Sequence, residues 1–282
     1  MLYIKKLILI FIAGFILTSC SKDFFEKPID LDIDNHVSKM AATAVLGDSD
    51  ENNLVLVSYT SSPLNNNTND QLLDNATITL SGNNNDISFS FLPQERFYAS
   101  NSSINFIPNI EYTLTIATPN YNTIVSKQIY PEPVAILEAT LTENTLKIKF
   151  NDNPNKKNFY LLQLQKYDDD DNQFYNKVID PFGSSTRSSG FCDTCLNFND
   201  DTFNGEQNFE IVATNYFYDP DTTYKVILYN VTEDFYKYDR SLFRSIYAEG
   251  NPFVEPVILH RNFENGYGVF GLVNRSELIF NQ

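Results

Sequence analysis

From residue 54 onward the chain alternates. Ile87, Phe89 and Phe91 are separated by Ser88 and Ser90, and Tyr112, Leu114 and Ile116 by Thr113 and Thr115. A period of two places each apolar set on one face of a strand. Similar runs, rich in β-branched and aromatic residues, cover 54–60, 76–80 and 122–129, with Asn-rich turns such as Ser81-Gly82-Asn83-Asn84-Asn85-Asp86 between them. Short strands with turn signals at this spacing predict a β-sandwich over 54–132. Pro131-Glu132-Pro133 is extended and can donate no backbone hydrogen bond at either proline, which predicts a domain boundary. A second set follows, with Leu146, Ile148 and Phe150 alternating with Lys147 and Lys149, then runs at 159–165, 208–213 and 224–229. It predicts a fibronectin-III-like sandwich over 133–282 that carries a weakly patterned insertion at 168–206.

One helix is expected over 232–249. Thr232 can cap it, Glu233 and Asp234 suit the positive end of the helix dipole, and Phe235, Tyr238, Leu242 and Ile246 recur on one face. Gly250-Asn251-Pro252 stops it. Two terminal strands, 267–273 and 277–280, close the fold. The expected fold class is all-β: two Ig- or fibronectin-III-like sandwiches with one short helix near the C-terminus.

The first fifty residues follow a different pattern. Lys5 and Lys6 precede an apolar run from Leu7 to Leu17, too short to span a bilayer and suited to a signal-peptide core. Leu17-Thr18-Ser19-Cys20 resembles a lipobox, so residues 1–19 are expected to be removed and Cys20 to carry the lipid. Each buried methylene contributes about 0.8 kcal/mol, and several chains anchor stably where one does not. Residues 20–53, polar and acidic, are expected to form a tether. Within them Ser21, Lys22, Asp23 and Glu26 resemble the acidic export signal of Bacteroidota lipoproteins, which implies the outer membrane and display at the cell surface.

Charge narrows the partners. The 20 basic and 36 acidic side chains give −16, and loss of Lys5 and Lys6 with the signal takes this to −18. Such a charge repels nucleic acid and anionic surfaces. It does not imply disorder, because 42% hydrophobic and 14% aromatic residues suffice for packed cores.

Candidate chemistry is sparse. Cys192-Asp193-Thr194-Cys195 admits three readings. A redox site of the thioredoxin type needs a helix start, whereas the flanking residues Gly190-Phe191 and Leu196 to Asp200 read as loop. Zinc needs further ligands, and only Cys20, His36 and His260 are on offer. A local disulfide between Cys192 and Cys195 is the expected state in an oxidising envelope. Asp168 to Asp171, with Asp180, Asp200 and Asp201, could present oxygens to Ca²⁺, but the run lacks the glycine and distal glutamate of an EF-hand and reads as a solvated loop. Asp221-Thr222-Thr223 resembles a Bacteroidota O-glycosylation motif with Thr222 as acceptor. Tyr216-Phe217-Tyr218 could stack on sugar rings or fill a sandwich edge. No His-Glu-X-X-His, Gly-X-Ser-X-Gly or phosphate-binding glycine loop occurs, so no catalytic residue, metal site or cofactor is assigned and no enzyme is expected.

Several features together resemble one family. They are the lipobox, the two-part β body, the helix followed by Gly250-Asn251-Pro252-Phe253 with Pro256, and then Asn262, Gly266, Gly268, Phe270 and Gly271. The family is a Bacteroidota outer-membrane lipoprotein group catalogued as domain of unknown function 4249. The resemblance implies a partner, an outer-membrane protein such as a TonB-dependent transporter or another barrel complex, and supplies no catalytic residues. An interaction or accessory module is therefore expected. The alternatives are a glycan- or peptide-binding lipoprotein and, last, a carboxylate-dependent glycoside hydrolase. Phe253 and Phe270 are the candidate partner anchors, unless their segment wraps back to complete the second sandwich.

Overall fold

The computed structural model describes residues 36–48, 53–62, 71–143, 145–181, 187–192, 194–215, 218–249, 251 and 253–281. Its first strand corrects the expected tether. β1 (Met40–Gly47) precedes β2 (Leu54–Tyr59) and buries Met40, Ala42, Ala44 and Leu46 on one face. Alanines at the middle of that face make the period of two easy to miss in sequence.

Five strands follow: β3 (Thr77–Gly82), β4 (Asn85–Leu92), β5 (Phe97–Ser100), β6 (Glu111–Thr118) and β7 (Tyr121–Ile129). The β3–β4 turn places Asn83 and Asn84 at φ 49° and 57°. Asparagine tolerates this left-handed backbone better than most residues, and it matches the twist of the hairpin. The inward residues, among them Ile78, Leu80, Leu114, Ile116 and Tyr130, form the first core. The sheet curls until β7 approaches β1, closing this core on both sides.

The second body begins with β8 (Ile136–Leu141), β9 (Thr145–Phe150) and β10 (Phe159–Asp168). The expected insertion then proves to be part of the sandwich. It supplies β11 (Gln173–Lys177), β12 (Ile179–Pro181), β13 (Arg187–Ser188) and β14 (Cys195–Asn199). β14 pairs with β10 and buries Leu196 and Phe198. Two apolar residues among polar neighbours are too short a pattern to distinguish a strand from a loop. β15 (Phe209–Asn215) and β16 (Thr223–Val231) complete the set. Sheet β12-β15-β9-β8 packs on the β14-β10-β16 face around Phe150, Tyr160, Leu162, Phe198 and Leu228.

After helix α1 (Glu233–Ala248) comes β17 (Tyr267–Asn281), a single strand of 15 residues where two were expected. Its first half pairs in parallel with β1, from Ala41↔Tyr267 to Gly47↔Val273. Its second half pairs antiparallel with β16, from Val231↔Val273 to Thr223↔Asn281. Polar residues Asn274 to Ser276 do not break it, because Asn274 donates to the Pro131 carbonyl at 2.9 Å and Arg275 is paired with Glu277. β17 therefore joins both bodies in one thirteen-stranded sheet, although each keeps its own core. The Pro131-Glu132-Pro133 boundary is correspondingly fixed: the Glu132 carbonyl accepts from Asn230 at 3.0 Å.

α1 lies on the outer face of this sheet, where Phe235, Tyr236 and Tyr238 meet Phe159, Leu161, Val231 and Val269 in a third core. Burial of each large apolar side chain there contributes roughly 1.5–3 kcal/mol. Thr232 stands at the cap position with extended backbone, but its hydroxyl does not cap the helix. It accepts instead from the Leu272 amide at 3.2 Å, fastening the helix start to β17. Of the predicted apolar face, Phe235 and Tyr238 are buried while Ile246 is exposed.

Candidate functional site

The chain between α1 and β17 separates the two phenylalanines singled out as anchors. Phe253 is 95% exposed and Ile258 is 92% exposed, in a stretch without regular structure where Val254 and Leu259 also reach solvent. Tyr247, at the end of α1, is exposed too. Phe270 is fully buried in the first core, so its place as a partner anchor is corrected. The strand expected over 267–273 is present as part of β17, but it turns Phe270 into the first core and not the second.

A change of partner explains where exposure ends. The His260 amide donates to Ser241 Oγ at 2.9 Å, and His260 Nε2 lies 2.7 Å from Asp234 Oδ1. Asp234 also accepts from Gln128 of β7 at 2.8 Å and from Asn262 at 3.4 Å. Burial pushes its carboxyl up, yet the bonds from His260, Gln128 and Asn262 outweigh this and hold it below its ordinary value. Asn262 then clamps β17 by donating to the Phe270 carbonyl at 2.7 Å and accepting from the Phe270 amide at 2.9 Å. Gly268, at φ +95°, passes so near β1 that an added Cβ would lie 1.9 Å from the Ala42 carbonyl oxygen. This close approach requires glycine at 268, and at the other end of the pair a Cβ on Gly47 of β1 would lie 2.4 Å from the Val273 carbonyl oxygen.

A groove opens on the sheet face that carries α1. Its volume is about 550 Å³, within the ~300–1,000 Å³ usual for small-molecule sites. Side chains pointing away from both main cores make its floor: Thr43 and Val45 of β1, Leu54 and Leu56 of β2, Leu161 of β10 and Val273 of β17. Phe97 and Phe235 form part of the walls. Polar groups gather where β10, β16 and β17 meet. Gln163 donates to Thr194 Oγ1 at 3.3 Å and accepts from Tyr229 at 3.4 Å. Arg275 and Asp48 also line this groove; Arg275 is paired through Nη2 with Glu277 at 2.6 Å, and its Nε is buried with no partner among the described residues. Burial raises the Tyr229 hydroxyl, an effect the Arg275 charge partly opposes.

The rim of the groove includes Cys192 and Cys195, joined as a disulfide. The loop before them is held by Asp239 of α1, a completely buried carboxylate. Its Oδ1 accepts from Ser189 Oγ at 2.6 Å and from the Gly190 and Phe191 amides at 2.9 and 2.7 Å, and Oδ2 accepts from Asn197. Four donors compensate the loss of water around this charge. Asp239 falls on the apolar face of the helix, four residues after Phe235 and three before Leu242, which marks it as a buried acid, but nothing in the sequence names the loop that it holds.

The remaining acids are structural in their contacts. Asp152 accepts from Tyr160 and from the Gly205 amide at 2.7 Å, and Asp200 accepts from the Asn158 amide at 2.6 Å. Burial raises the Asp200 carboxyl and the nearby Asp152 charge adds to this, against the Asn158 hydrogen bond. Both are buried, and the polar cleft at the junction of the bodies is lined by Glu132, Lys156, Asn158 and Asp234 rather than by this pair. Asp168 to Asp171 occupy the β10–β11 turn, where Asp168 Oδ1 accepts from the Asp170 amide at 3.0 Å. Among the described residues no group of three or more His, Cys, Asp or Glu is arranged to hold a metal ion. Thr222 is half-buried and hydrogen-bonded to Asp219, in the turn before β16. Tyr218 packs against the second core, and Tyr216 and Phe217 lie outside the described residues. So do Cys20, Ser21, Lys22, Asp23, Glu26 and Pro252. No described helix is long and apolar enough to cross a membrane.

The family described as "Domain of unknown function (DUF4249)" matches residues 26–279. Among solved structures, the chicken CNTN1 FN1–FN3 domains align over 79% of this chain at 11% identity, with a TM-score of 0.18. The chain spans 62% of the length of that structure. No curated protein matches.

Proposed function

The chain belongs to the DUF4249 family, and from that premise we propose that it is a lipid-anchored accessory protein of the outer membrane. It docks on a TonB-dependent transporter or another barrel complex and is displayed at the cell surface through Cys20. The observation that carries this reading is the exposed segment around Phe253 and Ile258. Contiguous exposed apolar surface marks interaction sites, and this stretch exposes Phe253, Val254, Ile258 and Leu259 within seven residues. The segment is held at its far end by Ser241, Asp234 and Asn262, so it is presented by a fixed frame. Aromatic anchors of this kind carry most of an interface's energy. The partner itself is suggested by the family resemblance.

The test is a pull-down from gently solubilised outer membrane, using wild type and Phe253→Ala. Wild type should retain a barrel protein that the variant loses. If wild type retains none, docking is rejected. Cys20→Ser should separately abolish labelling by a fatty-acid probe, and a labelled variant would reject the anchor. A second reading, direct ligand binding, is favoured by the apolar groove. The groove has few hydrogen-bonding groups for its size, which suits a glycan poorly.

A further inference from the structure

We infer that the Cys192–Cys195 disulfide is exchange-active: it oxidises an external dithiol, and Cys192 is the residue whose sulfur is attacked. The inference goes beyond docking at Phe253 and rests on nothing in that reading.

Access, hydrogen bonding and loop support all point this way. The two residues differ in access: Cys192 is partly exposed, Cys195 is 4% exposed, and both border the open groove. An incoming thiolate therefore meets Cys192 first. Donors also converge on its sulfur. The Tyr229 hydroxyl donates to Gln163 Oε1 at 3.4 Å, and Gln163 Nε2 donates to Thr194 Oγ1 at 3.3 Å. The Thr194 hydroxyl is then left to donate to Cys192 Sγ at 3.4 Å, since a disulfide sulfur carries no hydrogen. Gln163 Nε2 is itself 3.6 Å from that sulfur. Burial raises the Tyr229 hydroxyl, so the far end of this relay stays protonated. In a thioredoxin-type pair a helix start favours the thiolate; here side chains on β10, β16 and the turn before β14 take that part. Charge does not supply it. Asp48 at the groove is acidic, Arg275 is paired with Glu277, and Asp239 is enclosed by its four donors.

The loop is also held without the S–S bond. Asp239 fixes Ser189, Gly190 and Phe191, and the Cys192 amide donates to Ser189 Oγ at 3.1 Å. The Ser189 amide donates to the Cys195 carbonyl at 2.9 Å, and the Cys195 amide to the Cys192 carbonyl at 3.0 Å. A reduced pair thus stays adjacent and recloses. The exchange is a two-electron transfer. One thiolate of the dithiol attacks Cys192 Sγ and forms a mixed disulfide, while the Cys192–Cys195 bond breaks and its electron pair leaves on Cys195, which takes a proton. The second thiolate attacks the substrate sulfur of the mixed disulfide, closes the substrate's own disulfide and expels Cys192 as a thiolate. The relay acts at this second step, because a thiolate of lower pKa leaves faster.

The experiment uses the mature full-length protein in detergent micelles. Reduced with dithiothreitol and freed of it, the protein is alkylated with iodoacetamide from pH 5 to pH 9, and peptide mapping reads each cysteine separately. Cys192 should react with a midpoint at least about one pH unit below the ordinary thiol value near 8.5, and Cys195 at least about tenfold more slowly. Thr194→Val should return the Cys192 midpoint towards the ordinary value, whereas Thr194→Ser, which keeps the hydroxyl, should leave it low. Tyr229→Phe should move it part of the way, and carries the same test should Thr194→Val melt lower than wild type. In buffers of reduced and oxidised dithiothreitol, intact mass should reach one endpoint from either direction, and Thr194→Val should slow the approach about threefold. An ordinary midpoint, or one that both Thr194→Val and Tyr229→Phe leave in place, would reduce the relay to loop support and overturn the inference. So would a disulfide whose endpoint depends on the starting state. Either failure leaves the Phe253 pull-down to be judged on its own result.

Discussion

Residues 253–259 and residues 262–272 are neighbours in sequence and opposites in physics. The first stretch exposes Phe253 and Ile258 almost completely, and the second buries Phe263, Phe270 and Leu272. The exposed stretch is the richer in aliphatics, four of its seven residues against two of eleven in the buried one, so composition does not decide which is covered. What distinguishes them is whether the backbone has a partner. From Asn262 onward the chain is clamped and enters the ladder with β1, and its side chains must then alternate between two faces, one of which is core. Before His260 no strand accepts it, and no face is defined. Exposure of an apolar residue is thus a statement about its backbone as much as its side chain.

The largest effect that tests this contrast is expected from Phe270→Ala. A fully buried phenylalanine lost from a packed core costs about 3–5 kcal/mol. At roughly 2–4 °C per kcal/mol for a body of this size, its melting temperature should fall by about 6–20 °C. A variant melting like wild type would mean that the β1–β17 seam does not contribute to the first core.

Next comes the clamp. Asn262→Ala removes two hydrogen bonds to the Phe270 backbone and leaves those groups to find other partners, a loss of roughly 1–3 kcal/mol. Hydrogen exchange should rise at Phe270 and its ladder neighbours before it rises in β3 or β4. Uniform exchange across both would count against a local clamp.

Acid should loosen the same junction. The Asp234 carboxyl is held below its ordinary value, so its ionised form stabilises the fold above the ordinary carboxylate range near pH 4. That contribution is lost as pH falls through the lower folded value. Melting temperatures measured from pH 6 down to pH 2 should therefore drop less steeply in Asp234→Asn than in wild type. Parallel curves would show that its hydrogen bonds from Gln128, His260 and Asn262 do not favour the charged form.

The smallest effect is expected from Phe253→Ala, which removes a side chain that is 95% exposed. Its melting curve should stay within about 0.5 kcal/mol of wild type, even if the pull-down loses its partner. A large destabilisation would place Phe253 against protein and bring the two regions back together.

Much of the architecture was legible because local physics dictated it. Strict alternation at 87–91, 112–116 and 146–150 marks β4, β6 and β9, since a period of two has no other compact use. The acids at the start of α1 and its apolar stripe mark the helix for the same kind of reason. The family resemblance at Asn262, Gly268 and Phe270 was equally readable, although not the work these residues do. Tertiary structure alone decided the rest. β1 and β14 carry too few large residues to declare themselves, and became strands because neighbouring strands supplied the hydrogen bonds. The insertion became part of a sheet by the same means. Phe253 and Phe270 were separated by pairing that begins at Asn262. The groove joins residues from β1, β2, β10 and β17 that lie more than two hundred positions apart in the chain. Residues on the strand face away from a core look merely amphipathic in sequence. Only the joining of two bodies through β17 turns those faces into one concave surface.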